Sequence, residues 1–272
     1  MSRRNFHTHT HLCKHATGTP ADYCRTALEQ GVTTLGFTDH TPHLGDRLWF
    51  NVRMAVGELP QYIVELDEAK RQFPQLEILT GMECEYIPEE MNWYREELLG
   101  HCGLQYLINA PHHFHFRGEW KDTFVDVRDD ATLHAYTDEV IASLQSDLFA
   151  FLAHPDIFGQ RYRAWNGEAT ACAHAICQAC VDSRIPIEIN ANGFRKPLME
   201  DGGGLRRPYP LARFWEIAAE YPVEVLCCSD AHSPEVVWGN TDDCLAFARF
   251  FGLKVINQTF SPVKKTGEGK PL

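Results

Sequence analysis

Seven short runs of β-forming residues, at 4–9, 33–38, 76–82, 106–110, 148–153, 185–190 and 223–229, alternate with amphipathic stretches from one end of the chain to the other. This rhythm predicts parallel β/α construction, because parallel neighbours need a crossover long enough to hold a helix. Helix signals fall in the gaps. Thr19-Pro20 with Asp22 opens one helix and Gly31 follows its end; Ser233-Pro234-Glu235 repeats the opening. Helices also fit 56–72, 131–145, 167–182 and 211–221. A length of 272 residues leaves one α/β barrel or two small domains open. No linker, repeat or low-complexity block divides the chain, so we read one domain over 1–260 and a loose tail over 261–272. Two stretches, 113–130 and 194–210, break the rhythm and read as long loops of the kind that cover a site.

Composition narrows the function. Thirty-seven acidic against twenty-five basic residues give a net charge of −12, which disfavours nucleic-acid coating and docking on anionic lipid. No run approaches the roughly 18 apolar residues of a spanning helix, and Ser2-Arg3-Arg4 leads into histidines without an apolar leader core, so a cytoplasmic protein is expected. The ten cysteines sit in apolar contexts and read as reduced thiols. Cys177-Gln-Ala-Cys180 is a lone pair in a helical stretch and reads as two buried small side chains.

The ionisable motifs gather at the carboxyl ends of the proposed strands: His7-Thr-His9, Asp39-His40, Gly81-Met-Glu83, His112, His154-Pro-Asp156 and Ser229-Asp230-Ala-His232. In a β/α barrel that edge is a single face, so topology alone would bring them to one pocket. His7 and His9 share a strand face by the two-residue period, and Asp230 and His232 repeat the spacing. Glu83 follows a run rich in Leu and Ile, where an unpaired carboxylate is costly to bury without a cation. Imidazoles and carboxylates without thiolate prefer Zn, Mn or Fe. The candidates exceed the four or five ligands of one ion, which implies two to three ions, an arrangement suited to phosphoester hydrolysis.

Together, His7-Thr-His9 with His15, Phe37-Thr-Asp-His40, Gly81-Met-Glu83, Ala153-His-Pro-Asp156 and Ser229-Asp-Ala-His232 resemble the ordered motifs of the polymerase-and-histidinol-phosphatase (PHP) family. The likeness is greatest to its monofunctional histidinol-phosphate phosphatases, through Leu12-Cys-Lys-His-Ala16, the Glu83 to Glu89 segment and the Glu188 to Pro197 segment, and covers roughly residues 4 to 240. The resemblance implies a distorted (β/α)7 TIM-like barrel with a trinuclear metal site. It assigns His7, His9, Glu83 and Asp230 to a first ion, with Glu83 bridging to a second on His112 and His154, and His15, His40 and His232 to a third. Glu83, Asp230 and His232 count among these as catalytic, Glu83 as ligand and bridge rather than general base. Ala110-Pro-His-His113 offers two adjacent histidines where the family pattern has one; alignment favours His112.

The same resemblance makes Arg195 a phosphate clamp and Arg161 its second, with Lys196 and Asn190 as helpers. His43 is placed near the pocket by its closeness to His40, and Trp120 falls in a loop that could close over substrate. The implied activity is hydrolysis of histidinol phosphate in histidine synthesis. Another small phosphate ester, a nucleotide or sugar phosphate, is the second reading, and a non-catalytic metal-binding barrel the third. An acidic protein suits a substrate carrying an ammonium group, for which Asp122, Asp126, Glu168 and Asp201 are the unranked loop carboxylates. Oligomeric state is not encoded in any motif.

Overall fold

The computed structural model describes residues 2–46, 48–163, 165–201 and 203–262. Of the tail expected to be loose, residues from 263 onward lie outside this range. Four parallel strands lie side by side in chain order: β1 (Arg3–Asn5), β2 (Val32–His40), β3 (Glu77–Cys84) and β4 (Tyr106–Asn109). An antiparallel hairpin follows, β5 (His113–Phe116) and β6 (Glu119–Asp122). The barrel resumes at Leu152, bridged in parallel to Asn109 on one side and Ile187 on the other. Then come β7 (Ile187–Asn190), a short hairpin of β8 (Met199–Glu200) and β9 (Leu205–Arg206), β10 (Glu224–Cys228) and β11 (Lys254–Val255). Strand β10 pairs in parallel with β7 and β11, and Thr8 bridges to Ala231, which brings the two ends of the strand order together. The result is a distorted (β/α)7 barrel whose fifth strand is reduced to a single bridging residue.

The connecting helices are α1 (Pro20–Glu29), α2 (Leu59–Gln72), α3 (Met91–Trp93), which runs on into π-helical turns over Tyr94–His101, α4 (Thr123–Asp126), α5 (Asp130–Leu144), α6 (Gly167–Ser183), α7 (Asn192–Arg195), α8 (Ala212–Ala218) and α9 (Thr241–Phe251). Thr19 and Asp22 form the reciprocal cap that the sequence predicts for α1, with Pro20 in its first turn. The similar Ser233-Pro234-Glu235 opens only one 3-10 turn over Pro234–Val236. Asn240, at φ 58°, turns the chain before α9 begins, so the cap-like spelling is followed by a left-handed residue rather than by helix. The two expected loops are partly ordered by the β5–β6 and β8–β9 hairpins.

Inside the barrel, Tyr106 donates its hydroxyl to the carbonyl of Phe6 at 2.8 Å. Its ring leaves no room on the neighbouring strands: a Cβ at Gly36 would lie 2.0 Å from the Tyr106 hydroxyl, and one at Gly81 would lie 2.6 Å from its carbonyl oxygen. Glycine is needed there for close approach. All ten cysteines are free, and Cys177 and Cys180 are buried in the packing of α6.

Candidate metal centre

Strand register and the strand-end turns carry the polar side chains to one barrel mouth. Pairing of β2 with β3 sets His40 beside Glu83, and the Thr8–Ala231 bridge sets the His7/His9 segment beside Asp230 and His232. Glu83 is the hub. Its Oε1 lies 3.2 Å from His7 Nε2, 3.0 Å from His154 Nε2 and 3.6 Å from His112 Nε2. Its Oε2 lies 2.9 Å from His40 Nδ1 and 3.4 Å from His9 Nε2. Asp230 Oδ1 lies 3.0 Å from His9 Nε2 and 3.6 Å from His7 Nε2. Two turn residues in this ring take left-handed backbone, His154 at φ 30° and Asp230 at φ 48°, a strain that side chains other than glycine accept only when their surroundings hold them.

Behind the imidazoles stands a set of acceptors that fixes which ring nitrogen faces inward. His7 Nδ1 meets Glu188 Oε1 at 2.9 Å, and His112 Nδ1 meets Glu85 Oε1 at 3.1 Å. His15 Nδ1 meets the carbonyl of Cys13 at 2.8 Å, and His232 Nδ1 that of Asp230 at 3.1 Å. Glu188 also accepts the His154 amide at 3.1 Å and the Asn190 side chain at 2.8 Å. Glu85 is held by a bidentate Arg53, both contacts at 2.8 Å. A donor-to-acceptor contact on the outer nitrogen is what keeps a neutral ring aimed at a cation with its other nitrogen.

The inner nitrogens then face one another. His7 Nε2 and His9 Nε2 are 3.3 Å apart, and His15 Nε2 and His232 Nε2 are 3.1 Å apart. Two nitrogens at roughly 2.0–2.1 Å from one tetrahedral ion are about 3.3 Å from each other, so both pairs have the spacing of ligand pairs. Glu83 Oε2 and Asp230 Oδ1 are buried without a hydrogen-bond donor. Ligand atoms of His7, His9 and Asp230 converge, as do those of His7, Glu83 and His154 and those of His9, His40 and His232. The residues present therefore fit a multinuclear centre.

Electrostatics point the same way. Burial alone would strip the proton from His7, but Glu188, Glu83 and Asp230 outweigh it and raise the pKa to about 10. Burial likewise presses on His9, and Asp230 and Asp39 raise it well above its usual value. Glu83 and Asp230, although buried, are held well below the carboxylate range by His112 and His7 in the first case and by His7 and His232 in the second. His40 and His232 go down through burial and the neighbouring His9, His232 to about 3. Carboxylates surrounded this closely by imidazoles attract positive charge, supplied here by protons and replaceable by cations.

A cavity of about 600 Å³ opens over the cluster, lined beyond it by Trp49, Arg53, Asp122, Phe124, Lys196 and Tyr209 among others. Several expectations are placed differently. Of the adjacent pair, His112 turns to Glu83, whereas His113 stacks flat on Trp49 with ring centroids 3.3 Å apart. Arg195 and Arg161 do not line the cavity. Arg195 donates to the carbonyls of Gly239 at 2.8 Å, Ser229 at 2.6 Å and Asp230 at 3.1 Å, and so braces the strained Asp230 turn. Arg161 donates Nε to the carbonyl of Phe124 at 3.2 Å, and its terminal nitrogens have no partner among the described residues. Lys196, read as a helper, does line the cavity, and its ammonium has no described partner. Asn190 instead bonds Glu188 and Asp230. His43, buried against Glu90 at 2.8 Å, and Trp120, packed on His115 and Trp49, are themselves outside the lining. Asp156 of the His-Pro-Asp motif accepts from the Leu211 amide and the Trp215 indole, and so serves packing. Sequence reasoning missed Glu85, Glu188 and Asp39 as the supports of the imidazoles, although Glu85 and Glu188 lie in the two segments it quoted, and it missed Trp49, which no motif announces.

The PHP domain profile matches residues 5–192. A protein of Deinococcus radiodurans named "Probable histidinol-phosphatase" is 29% identical over 257 residues, covering 92% of this chain and 94% of its own. A crystal structure from Listeria monocytogenes superposes with a TM-score of 0.72 at 18% identity, covering 89% of this chain and 100% of that one. A histidinol phosphate phosphatase from Lactococcus lactis, solved with zinc, L-histidinol and phosphate, superposes with a TM-score of 0.71 at 13% identity and covers 93% of this chain and 95% of that one. With its barrel, its strand-end histidines and a profile match across more than half its length, this chain belongs to the PHP domain family.

Proposed function

We propose that the protein is a metal-dependent phosphomonoesterase that hydrolyses L-histidinol phosphate to L-histidinol and inorganic phosphate, in the cytoplasm, as a step of histidine synthesis. The observation that carries the chemistry is the convergence of five histidines on Glu83, with Asp230, His232 and His15 completing the same cluster. His7, His9, His15, His40, Glu83, His112, His154, Asp230 and His232 would hold two to three Zn, Mn or Fe ions. Bound ions supply charge against the phosphoryl oxygens and lower the pKa of water for in-line attack on phosphorus. The substrate assignment is supported by the name of the Deinococcus relative and by the ligands of the Lactococcus structure.

The chain's own residues do the positioning. Glu83, with one oxygen toward His7, His154 and His112 and the other toward His9 and His40, is enclosed by imidazoles on both oxygens and would serve as a shared ligand rather than a general base. Glu188 and Glu85 hold the His7 and His112 rings in the tautomer that leaves Nε2 inward. Lys196 on the cavity wall is the cation we assign to the phosphoryl oxygens; Arg161, tied by its Nε to the carbonyl of the cavity-lining Phe124, would join it only by turning its terminal nitrogens past that residue. Arg195 acts through the Asp230 turn that it braces. No helix among the described residues is long and apolar enough to cross a membrane.

A panel of phosphate esters tests the substrate. We expect kcat/KM for L-histidinol phosphate at least about tenfold above any nucleotide or sugar phosphate, equal to roughly 1.4 kcal/mol of transition-state discrimination. A nucleotide or sugar phosphate at the head of the panel would leave a PHP phosphoesterase of a different substrate.

A further inference from the structure

The cavity lining contains three carboxylates, and two of them, Glu83 and Asp230, are taken up in the histidine cluster. Asp122 is the third. Of the other loop acids open at the level of sequence, Asp126 accepts the Asp122 amide at 3.0 Å, Glu168 pairs with exposed His134 at 2.8 Å, and Asp201 pairs with Arg206 at 2.9 Å. None of the three lines the cavity.

The position of Asp122 is set by the metal-bearing strand end. In the β5–β6 hairpin it pairs with His113. The next residue, Thr123, gives its amide to the carbonyl of His112 at 2.8 Å and its hydroxyl to the carbonyl of Pro111 at 2.7 Å. Phe124 then lays its ring on that of His112, with centroids 5.7 Å apart and planes 22° apart. The segment is thus tied to the strand end by one backbone hydrogen bond to His112, one side-chain hydrogen bond to Pro111 and a ring stack on His112, which sets its position relative to the cluster. Asp122 Oδ1 accepts the Phe124 amide at 2.7 Å, and no described group takes Oδ2. Among the described residues no lysine or arginine reaches this carboxylate, so a half-buried carboxylate stands on the cavity wall without a described counter-ion. Burial raises its pKa, and the Phe124 amide and His112 offset this only in part.

We infer that Asp122 is the specificity residue that binds the substrate's ammonium group, selecting phosphate esters that carry an amine close to the ester oxygen. The inference rests on the phosphomonoesterase reading above and deepens it by naming the class: aminoalkyl phosphates over neutral ones. The free Oδ2 receives the ammonium, while Oδ1 continues to cap α4. The hairpin holds the pair at a fixed offset from the cluster where the phosphoryl group reacts.

The test compares two substrate pairs that differ only in the amine: L-histidinol phosphate against 3-(imidazol-4-yl)propyl phosphate, and 2-aminoethyl phosphate against ethyl phosphate. Asp122→Asn keeps the cap, because asparagine caps as well as aspartate, and removes the charge. Wild type is expected to favour the amine in each pair by at least tenfold in kcat/KM. Asp122→Asn should bring both ratios to within about threefold of unity, with metal content equal to that of wild type. A variant that retains the wild-type ratios, or a wild type without amine preference in either pair, overturns the inference. The reading of the physiological substrate fails separately, when an ester from outside both pairs outruns L-histidinol phosphate. The Asp122-dependent preference within the shorter pair is read independently of that result.

Discussion

A single guanidinium shows how much of this site is held from behind. Arg195 reaches two backbone carbonyls, of Ser229 and Asp230, at the turn that carries Asp230 at φ 48°, and a third at Gly239 ahead of α9. Removing it leaves those carbonyls short of a donor and frees a strained ligand, so Arg195→Ala is expected to weaken metal binding roughly 10–100-fold, the usual cost of losing a support behind a ligand. Lys196→Ala should instead keep its metal and lose about 1.5 kcal/mol of transition-state binding, close to tenfold in kcat/KM. Metal titration of the two variants checks this; full metal affinity in Arg195→Ala with impaired kinetics would return this residue to direct contact with phosphate. Residue identity was legible in sequence because histidines and carboxylates at strand ends have few other uses. Side-chain direction was not. Arg195 lies in a segment that resembles a phosphate-binding one, yet local carbonyls take up its donors. The same holds for His112 and His113, which differ only in facing, and only the hairpin that follows them, stacking His113 on Trp49, decides which ring meets Glu83.

At the scale of elements, the barrel wall shows what the strand sequences could and could not announce. Period-two patterning and apolar runs located the seven expected barrel strands to within a few residues, because burial on both faces demands such runs, whereas the two-residue β11 beside β10 was not anticipated. The β5–β6 and β8–β9 hairpins were read as loops; in β5–β6 only Phe114 enters the core, against Tyr136, while His115 and Trp120 pack on each other and Trp120 on Trp49 rather than on a patterned face. The fifth strand was legible as an apolar run, but only Leu152 makes ladder pairs, as the His154 turn begins two residues later. Close packing across the barrel gives a sharp test. Gly36 faces Tyr106 so closely that an added methyl would meet its hydroxyl at 2.0 Å. Gly36→Ala must displace that ring or the Phe6 carbonyl it bonds, and is expected to destabilise the fold by about 1–3 kcal/mol. Denaturant unfolding measures it, and a midpoint equal to wild type would contradict the packing described.

For the molecule as a whole, the charge balance of the site couples metal binding to pH. Without ions, His7, at a pKa of about 10, and His9, raised well above its usual value, keep protons at pH 7 because Glu83 and Asp230 surround them. Cations must displace those protons, and the sign follows: apparent metal affinity rises with pH and levels off only above about 10, once His7 has lost its proton. Calorimetry in two buffers of different ionisation enthalpy should register net proton release on metal binding at pH 7, and zero release would contradict this balance. Ions that bind only the folded barrel also raise its stability, by about 2.7 kcal/mol at a hundredfold excess over the dissociation constant. Everything above turns on the cluster around Glu83 being a multinuclear metal centre, and counting the metal tests that directly. Elemental analysis of protein purified without chelator, and again after stripping and reconstitution, should find two to three transition ions per chain, falling below one when Glu83 is replaced by alanine. One ion or fewer in the wild-type protein, unchanged by reconstitution, would contradict the account.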